Sequence, residues 1–422
     1  MYLKHTILIG AVLVSLSSYT AMPVAEASRH ASTRAGTTVV NTSPMQTART
    51  GAETRTVSER IRAILRQPDG EQLTGSGRTE NVLHQWPVEY RDEGGTLLFS
   101  DSPEYVTTEG ILYRDTVTGD ARVLYYHLNN TDEPKKVAVV LENKYPGPNQ
   151  VRVTRGGSGG PSEDYLAVGK QGQMNYWGKS MDQVINLPAG GARLLQEQMN
   201  TIILQPGQLV YGAYDFTTDH PVQVTVLMLA DDGDPVTAAN QLPVLPKDEM
   251  KLRGTFKGMN RVLTSPKTYD PDKDGGVYFP LADNLQDKYR EGIDATDGSK
   301  VINVGNYGIV YTLELPVTGK GTTQYYLSPL GGVYAGAMQV RYGHSAPSML
   351  PTPLGRAYFG DETPAEPDHV ERARLAGVWH LSPHTELTDL GRYPSDKQTY
   401  FEYSPPGASN LPVNIIMMPA HS

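Results

Sequence analysis

Apolar and polar residues alternate with a period of two through much of this chain, most clearly in residues 120–142. Residues 122–128 follow this alternation, and it resumes in residues 136–142 beyond a polar Asn-Asn-Thr-Asp-Glu-Pro stretch. Successive side chains of a β-strand point to opposite faces of a sheet, so a period of two is typical of strands. The stretch therefore predicts two strands joined as a β-hairpin.

Similar strand-like runs recur almost to the end of the chain, separated by Gly, Pro, Asn and Asp. We predict a mainly β fold with two antiparallel β-sandwich-like domains, residues 81–232 and residues 250–419. A polar, proline-bearing linker, residues 233–249, separates them. A parallel α/β sheet is excluded, because it requires helices between its strands.

The first 27 residues have the pattern of an export signal. Lys4 precedes an apolar run over residues 7–16, and the small residues Ala25 and Ala27 follow. This pattern predicts a signal peptide, residues 1–27, that is cleaved after Ala27. The run is too short for a membrane anchor, which needs about 20 apolar residues. We expect an exported protein, extracellular or in the cell envelope, with no transmembrane span in the mature chain.

Residues 28–80 are predicted to form a flexible basic arm with a short helix. Residues 28–55 lack periodicity, and then Thr56 and Glu59 have the spacing of a capping box ahead of apolar residues on one helical face. Seven arginines and two glutamates fall in residues 28–66 of a chain whose net charge is −9. The body is therefore acidic, which argues against nucleic-acid binding, because phosphate contacts dominate that affinity.

The chain contains no cysteine. Disulfides, thiol catalysis and thiolate metal sites are therefore excluded. A cation site is the remaining metal candidate: Asp270, Asp272 and Asp274 occupy positions 1, 3 and 5 of a loop with Gly275 at position 6. That spacing is typical of Ca²⁺ ligands.

The twelfth position of this loop is Leu281 in place of the usual glutamate, and Asp283 lies two residues further on as a substitute ligand. A solvated acidic turn is the alternative for these residues. No cofactor is predicted to be required, and Ca²⁺ is the one candidate.

Two sequence patterns typical of catalytic or metal sites occur in surroundings that do not suit them. Gly156 to Gly160 matches G-x-S-x-G around Ser158, but the surroundings are antiparallel and Pro161 follows, so a glycine-rich hairpin connection is the alternative interpretation. His380, His384 and Glu386 resemble a metal pair with a third ligand, but Pro383 opposes the helix that would align them. We nominate no catalytic residue.

Aromatic residues offer a binding hypothesis. Tyr176 and Trp177 are adjacent in a glycine-rich stretch and are the predicted binding residues, as a platform on which a sugar ring or a peptide stacks. Packing in the core is the alternative.

Six blocks carry a family resemblance, namely LFSDSPEYV, GDARVLYYHLNN, VAVVLEN, LVYGAYDF, LRGTFKGMNR and GNYGIVYTLEL. They resemble a group of uncharacterised exported bacterial envelope proteins, some of which carry an added copper amine oxidase N-terminal-like domain. No copy of that domain is evident in this chain. The resemblance implies an envelope location, and it implies neither copper nor amine oxidation.

Two functions remain open from the sequence. The first is a non-enzymatic exported protein that contacts a cell-wall polymer, a glycan or an envelope protein. The second is an extracellular hydrolase acting on glycan or peptidoglycan. An enzyme should bring acidic residues with shifted pKa values together in a cleft, whereas a binding protein should present a groove or a flat face.

Overall fold

The computed structural model describes residues 82–178, 180–330, 334–353, 377–381 and 387–420. The predicted signal peptide and the whole basic arm, with its helix, lie outside these residues and stay predictions. The described residues all belong to one compact unit.

Strands dominate the described residues, which confirms the mainly β prediction. The strands are β1 (Val82–Gln85), β2 (Glu89–Glu93), β3 (Thr96–Ser100), β4 (Tyr105–Val106), β5 (Gly110–Asn129), β6 (Lys135–Asn143), β7 (Asn149–Ser162), β8 (Ser180–Leu187), β9 (Ala192–Leu194), β10 (Leu209–Ala230), β11 (Arg253–Lys257), β12 (Asn260–Thr264), β13 (Val277–Leu281), β14 (Arg290–Ile293), β15 (Lys300–Asn303), β16 (Val310–Glu314), β17 (Thr322–Pro329), β18 (Gly336–Tyr342), β19 (Ser348–Thr352), β20 (Val378–His380), β21 (Thr388–Pro394), β22 (Thr399–Tyr403) and β23 (Val413–Pro419). The helices are α1 (Tyr165–Gly178), α2 (Pro235–Gln241) and a 3-10 helix (Glu197–Asn200). Within these described elements, neither α-helix is long and apolar enough to cross a membrane.

Strand β10 is the centre of the largest sheet, which has 11 strands. One edge of β10 pairs antiparallel with β5, and the other edge pairs first with β7 and then with β6. The hairpin predicted over residues 120–142 is therefore wrong in its pairing. Its two strands exist as β5 and β6, but β10 lies between them. Alternation identifies a strand and its buried face, and it does not identify the neighbour that completes the hydrogen bonds.

The sheets are mixed, whereas the sequence predicts antiparallel ones. Strands β3 and β4 pair parallel with β5, β1 pairs parallel with β13, and β12 pairs parallel with β16. The two smaller sheets have the strand orders β20-β1-β13-β23-β17-β21 and β19-β18-β22-β16-β12-β2. The parallel pairs join strands that are distant in sequence, so short-range patterns carry no sign of them.

Strands from both predicted domains share the large sheet. Strands β11, β14 and β15 follow the predicted linker, yet they extend this sheet beyond β3. The linker itself contains α2, and its Val244 bridges to Ile111 on β5. One apolar cluster also combines residues of both parts, including Leu124 and Phe401. The two-domain division stays a prediction. Any such division would have to cut through this shared sheet and this shared apolar cluster.

Helix α1 lies directly on the glycine-rich part of β7. A Cβ atom at Gly157 would stand 2.4 Å from the backbone nitrogen of Tyr176, and one at Gly159 would stand 2.0 Å from the carbonyl oxygen of Val168. Only glycine permits so close an approach of a helix to a strand. The glycine-rich run predicted as a hairpin connection therefore lies inside strand β7. Its glycines form the surface on which α1 packs.

Candidate functional site

The predicted binding pair Tyr176 and Trp177 lies in the interior, on the buried side of α1. Each side chain is only 4% exposed. The Tyr176 hydroxyl donates a hydrogen bond to Asp215 at 2.8 Å, and the Trp177 indole N–H donates to the carbonyl oxygen of Ala337 at 3.0 Å. In this position the rings expose no face to a surface ligand. Their burial agrees with the alternative interpretation, packing in the core.

A buried ion pair within the large sheet accepts the hydrogen bond from Tyr176 of this helix. Arg122 on β5 donates to both carboxylate oxygens of Asp215 on β10, at 2.6 and 2.8 Å. Its remaining donors reach the carbonyl oxygens of Met259 and Gly308 and the side chain of Asn260, at 2.6, 3.0 and 3.1 Å. The guanidinium is thus fully used in connecting separate elements. Its role is structural, since a cavity of only about 10 Å³ lies beside it.

The aspartates predicted to bind Ca²⁺ form a self-contained turn. Asp270 accepts hydrogen bonds from Lys273 Nζ at 2.7 Å and from the Asp272 backbone N–H at 3.1 Å. Asp274 accepts from the Asp270 backbone N–H at 2.8 Å. Within the described part of the chain, no group of three or more acidic or histidine side chains is arranged to hold a metal. Calcium at this loop stays a prediction.

The fourth predicted ligand, Asp283, belongs to a different turn. Its Oδ1 atom accepts hydrogen bonds from the backbone N–H groups of Leu285, Gln286 and Asp287, at 3.0, 3.0 and 2.9 Å. This carboxylate closes a tight turn, as aspartates commonly do.

The serine pattern is not assembled into a nucleophile elbow, and most of the histidine pattern lies outside the described residues. Ser158 lies within β7, opposite Gly212 of β10, and its carbonyl oxygen accepts from Asn175 of α1 at 2.8 Å. It therefore lacks the strand-to-helix elbow that exposes a nucleophile. His380 ends β20, while His384 and Glu386 lie outside the described residues.

A groove lined by both polar and apolar residues opens where β7 begins, β8 ends and β10 bulges, and we call it the strand-end groove. Its volume is about 500 Å³, within the range of small-ligand sites. Six residues that line it are Pro148, Asn149, Gln150, Asn186, Asp219 and His220. The groove exists because β10 shifts register between Thr218 and Val222, which pushes Asp219 and His220 out of the ladder.

Several contacts hold the polar groups of the strand-end groove in place. The His220 ring stacks on Tyr145 with ring centres 3.7 Å apart and planes 7° apart. Buried Asn149 donates to Thr218 Oγ1 and to the His220 carbonyl oxygen, each at 3.0 Å. Gln150 donates across the strand pair to Asn186 at 3.0 Å. The groove thus presents ordered amides, an imidazole and a carboxylate.

A second polar cluster surrounds the segment Ser100 to Val106, which we call the acidic loop. Asp248 accepts from the Ser102 hydroxyl and from the Glu104 backbone N–H, each at 2.8 Å. Burial, followed by the charge of Asp248, raises the pKa of Glu104 to about 7. Burial, followed by Glu104 and Asp248, raises the pKa of Asp101 well above its usual value.

A fully buried serine–histidine pair anchors the acidic loop from below. The Ser100 hydroxyl and His127 Nε2 are 2.8 Å apart, and His127 Nδ1 lies 2.9 Å from the Pro103 carbonyl oxygen. Both residues are 0% exposed, and burial lowers the pKa of His127 to about 4. A neutral imidazole with no exposed surface fixes the loop and cannot reach a substrate.

Sequence reasoning missed both the strand-end groove and the acidic loop. A partial signal for the groove was present, since Pro, Gly and Asn cluster at residues 143–149 and 186–191 and mark neighbouring strand ends. Nothing local indicated that the β10 bulge would join them. The partner of the acidic loop, Asp248, lies 144 residues from Glu104, a separation that no motif spans.

No protein-family model and no curated protein sequence matches this chain. Among solved structures, a Paenibacillus xanthan lyase aligns with 81% of the chain at 10% identity and a TM-score of 0.13, and the alignment spans only 26% of the lyase. PNGF-II aligns with 80% of the chain and 66% of its own length, at 12% identity and a TM-score of 0.12. Oxalate decarboxylase from Bacillus subtilis aligns over 79% of both chains, at 10% identity and a TM-score of 0.11. Scores this low establish neither fold nor function.

Proposed function

We propose that this protein is a non-enzymatic, exported component of the cell envelope that binds a wall glycan in the strand-end groove. The observation that carries the proposal is the groove itself, which combines a volume of about 500 Å³ with amide, carboxylate and imidazole groups. The export pattern of residues 1–27 supports the envelope location.

Sugar hydroxyls match the chemistry of this groove. Each hydroxyl both donates and accepts, and side-chain amides and carboxylates offer the complementary acceptors and donors. Asp219 and Gln150 are exposed, so their polar atoms are accessible to a ligand. The stacked His220 and Tyr145 rings fix the imidazole plane, which lowers the ordering cost of binding.

A binding assay on purified cell wall and soluble glycans tests this function. The mature protein, from Ser28 onward, is compared with a chain that lacks residues 28–55, each with and without a Ca²⁺ chelator. We expect retention by both chains. Retention that requires the basic arm would instead assign binding to its arginines, and loss of binding in chelator would implicate the Asp270 loop.

Variants in the strand-end groove should weaken glycan binding without unfolding the protein. We expect Asp219→Asn and His220→Ala each to reduce affinity about tenfold, because the first replaces a charged acceptor with an amide and the second removes the imidazole. Isothermal titration with the retained glycan measures this loss. Asp231→Asn is the matched control, an exposed aspartate just beyond the other end of β10, and it should bind like the wild type. Equal affinity in the wild type and the three variants would show that the ligand binds outside this groove.

An extracellular hydrolase acting on glycan or peptidoglycan is the second candidate, and one observation favours it. The raised pKa values of Asp101 and Glu104 are what a carboxyl group needs to remain a proton donor near neutral pH. Release of reducing ends from wall glycan by the wild type but not by Glu104→Gln would support this candidate. No release above background by the wild type would remove it.

A further inference from the structure

The acidic loop and the residue that anchors it carry three carboxyl groups. Asp101 and Glu104 lie in the loop, and Asp248 is held against it by two hydrogen bonds of 2.8 Å. Among the described residues, none of the three carboxylates takes part in an ion pair. The Oδ1 atom of Asp101 is buried and has no hydrogen-bond partner there. Carboxyl groups that are buried and interact with one another cannot all ionise without a cost.

The surroundings of the loop add little positive charge. Tyr126 on β5 and Tyr307 both interact electrostatically with Asp101 and Glu104, and Tyr105 and Tyr289 contribute to the same group of phenols. His127 below the loop is neutral because it is buried. Arg253 on β11 donates to the Ser102 carbonyl oxygen at 3.3 Å, and its Nε pairs with Asp294 at 2.8 Å.

We infer that the acidic loop holds a protonated carboxyl group when it is closed and loosens as the pH rises through neutrality. The inference concerns the stability of one segment and does not depend on the proposed glycan binding. Loss of the proton leaves adjacent buried negative charges, and opening the loop is the motion that returns them to water.

The direction follows from the two states of the loop. Glu104 has a pKa of about 7 in the closed loop and a usual value of 4.5 when solvated. The closed state therefore binds the proton more tightly, so its extra stability is fully present below about pH 4.5 and is lost as the pH rises to about 7 and beyond.

Two backbone hydrogen bonds report on opening. The Leu128 N–H donates to the Glu104 carbonyl oxygen at 2.8 Å, and the Asn130 N–H donates to the Val106 carbonyl oxygen at 2.9 Å. Both bonds tie the loop to the end of β5, where β4 pairs with it. Opening must break them and expose both amides to exchange.

Hydrogen–deuterium exchange at about pH 6 and about pH 8, corrected for the intrinsic exchange rate, tests the inference. In the wild type we expect the protection factors of the Leu128 and Asn130 amides to fall about tenfold between these values. In Glu104→Gln the fall should shrink to less than about twofold, because the variant has no proton to lose at that position.

Asp248→Asn is the second variant, and it should reduce the fall, because the charge of Asp248 contributes to the raised pKa of Glu104. Asp132→Asn is the control, an exposed aspartate in the turn after β5, and it should keep the tenfold fall. Protection factors that are equal at the two pH values in the wild type would overturn the inference. The same fall in Glu104→Gln and Asp248→Asn as in the wild type would overturn it too.

Discussion

Alanine in place of Gly159 is expected to lower the free energy of unfolding by about 3 kcal/mol or more. Its Cβ atom would stand 2.0 Å from the carbonyl oxygen of Val168 and 3.0 Å from the carbonyl carbon of the same residue. These are backbone atoms of α1, so no side-chain rotation relieves the clash and the whole helix must move. The shift would also strain the hydrogen bond between Tyr176 and Asp215.

Urea denaturation monitored by tryptophan fluorescence measures this effect. Gly178→Ala is the matched control, because the same methyl group added at the end of α1 meets nothing within 4 Å. That variant should be neutral, or more stable by up to about 1 kcal/mol, since alanine favours a helix more than glycine does. A Gly159→Ala protein as stable as the wild type would show that α1 does not sit on β7 as described.

Loss of the Arg122 guanidinium should destabilise the protein by about 3 to 5 kcal/mol. Arg122→Met retains much of the apolar stem and removes every hydrogen bond that the guanidinium makes. The cost is large because Asp215, whose side chain is only 14% exposed, is left without its cationic partner. Three carbonyl or amide oxygens also lose a donor.

Two further proteins make the Arg122 result specific. Arg152→Met removes an ion pair with Asp182 in which the two side chains are 57% and 67% exposed, so it should leave the stability nearly unchanged. The double variant with Arg122→Met and Asp215→Leu should recover part of the loss, because no charge is then left unpaired. If the double variant is less stable than Arg122→Met, Asp215 contributes to stability mainly through its hydrogen bond with Tyr176.

The sequence predicted strands better than it predicted their neighbours. The apolar run of residues 136–142 located β6 to within one residue at each end, because a short apolar run bounded by turn residues is typical of a strand buried on both faces. Residues 122–128 gave only part of β5, since the polar residues in the middle of that strand looked like a turn. Sequence reasoning missed α1, whose Gly169 and Gly172 are unfavourable for an isolated helix.

Tertiary contact explains that helix. A Cβ atom at Gly169 would meet the Gly407 carbonyl oxygen at 2.1 Å, and one at Gly172 would meet the Tyr211 ring at 2.1 Å. The glycines that weaken the helix in isolation are the ones that let it pack on two sides. Asp164, which caps the helix by accepting from the Ala167 backbone N–H at 3.0 Å, was the available local signal.

By itself, the sequence determined the β-rich class and the absence of thiol chemistry, because strand periodicity and composition are local properties of the chain. Only the tertiary structure decided that β10 separates β5 from β6, that Tyr176 and Trp177 are interior, and that Asp248 reaches the acidic loop. Each of these depends on residues far apart in sequence, whose approach is set by packing of the whole unit. The strand-end groove arises in the same way, from a bulge in one strand placed beside the ends of two others.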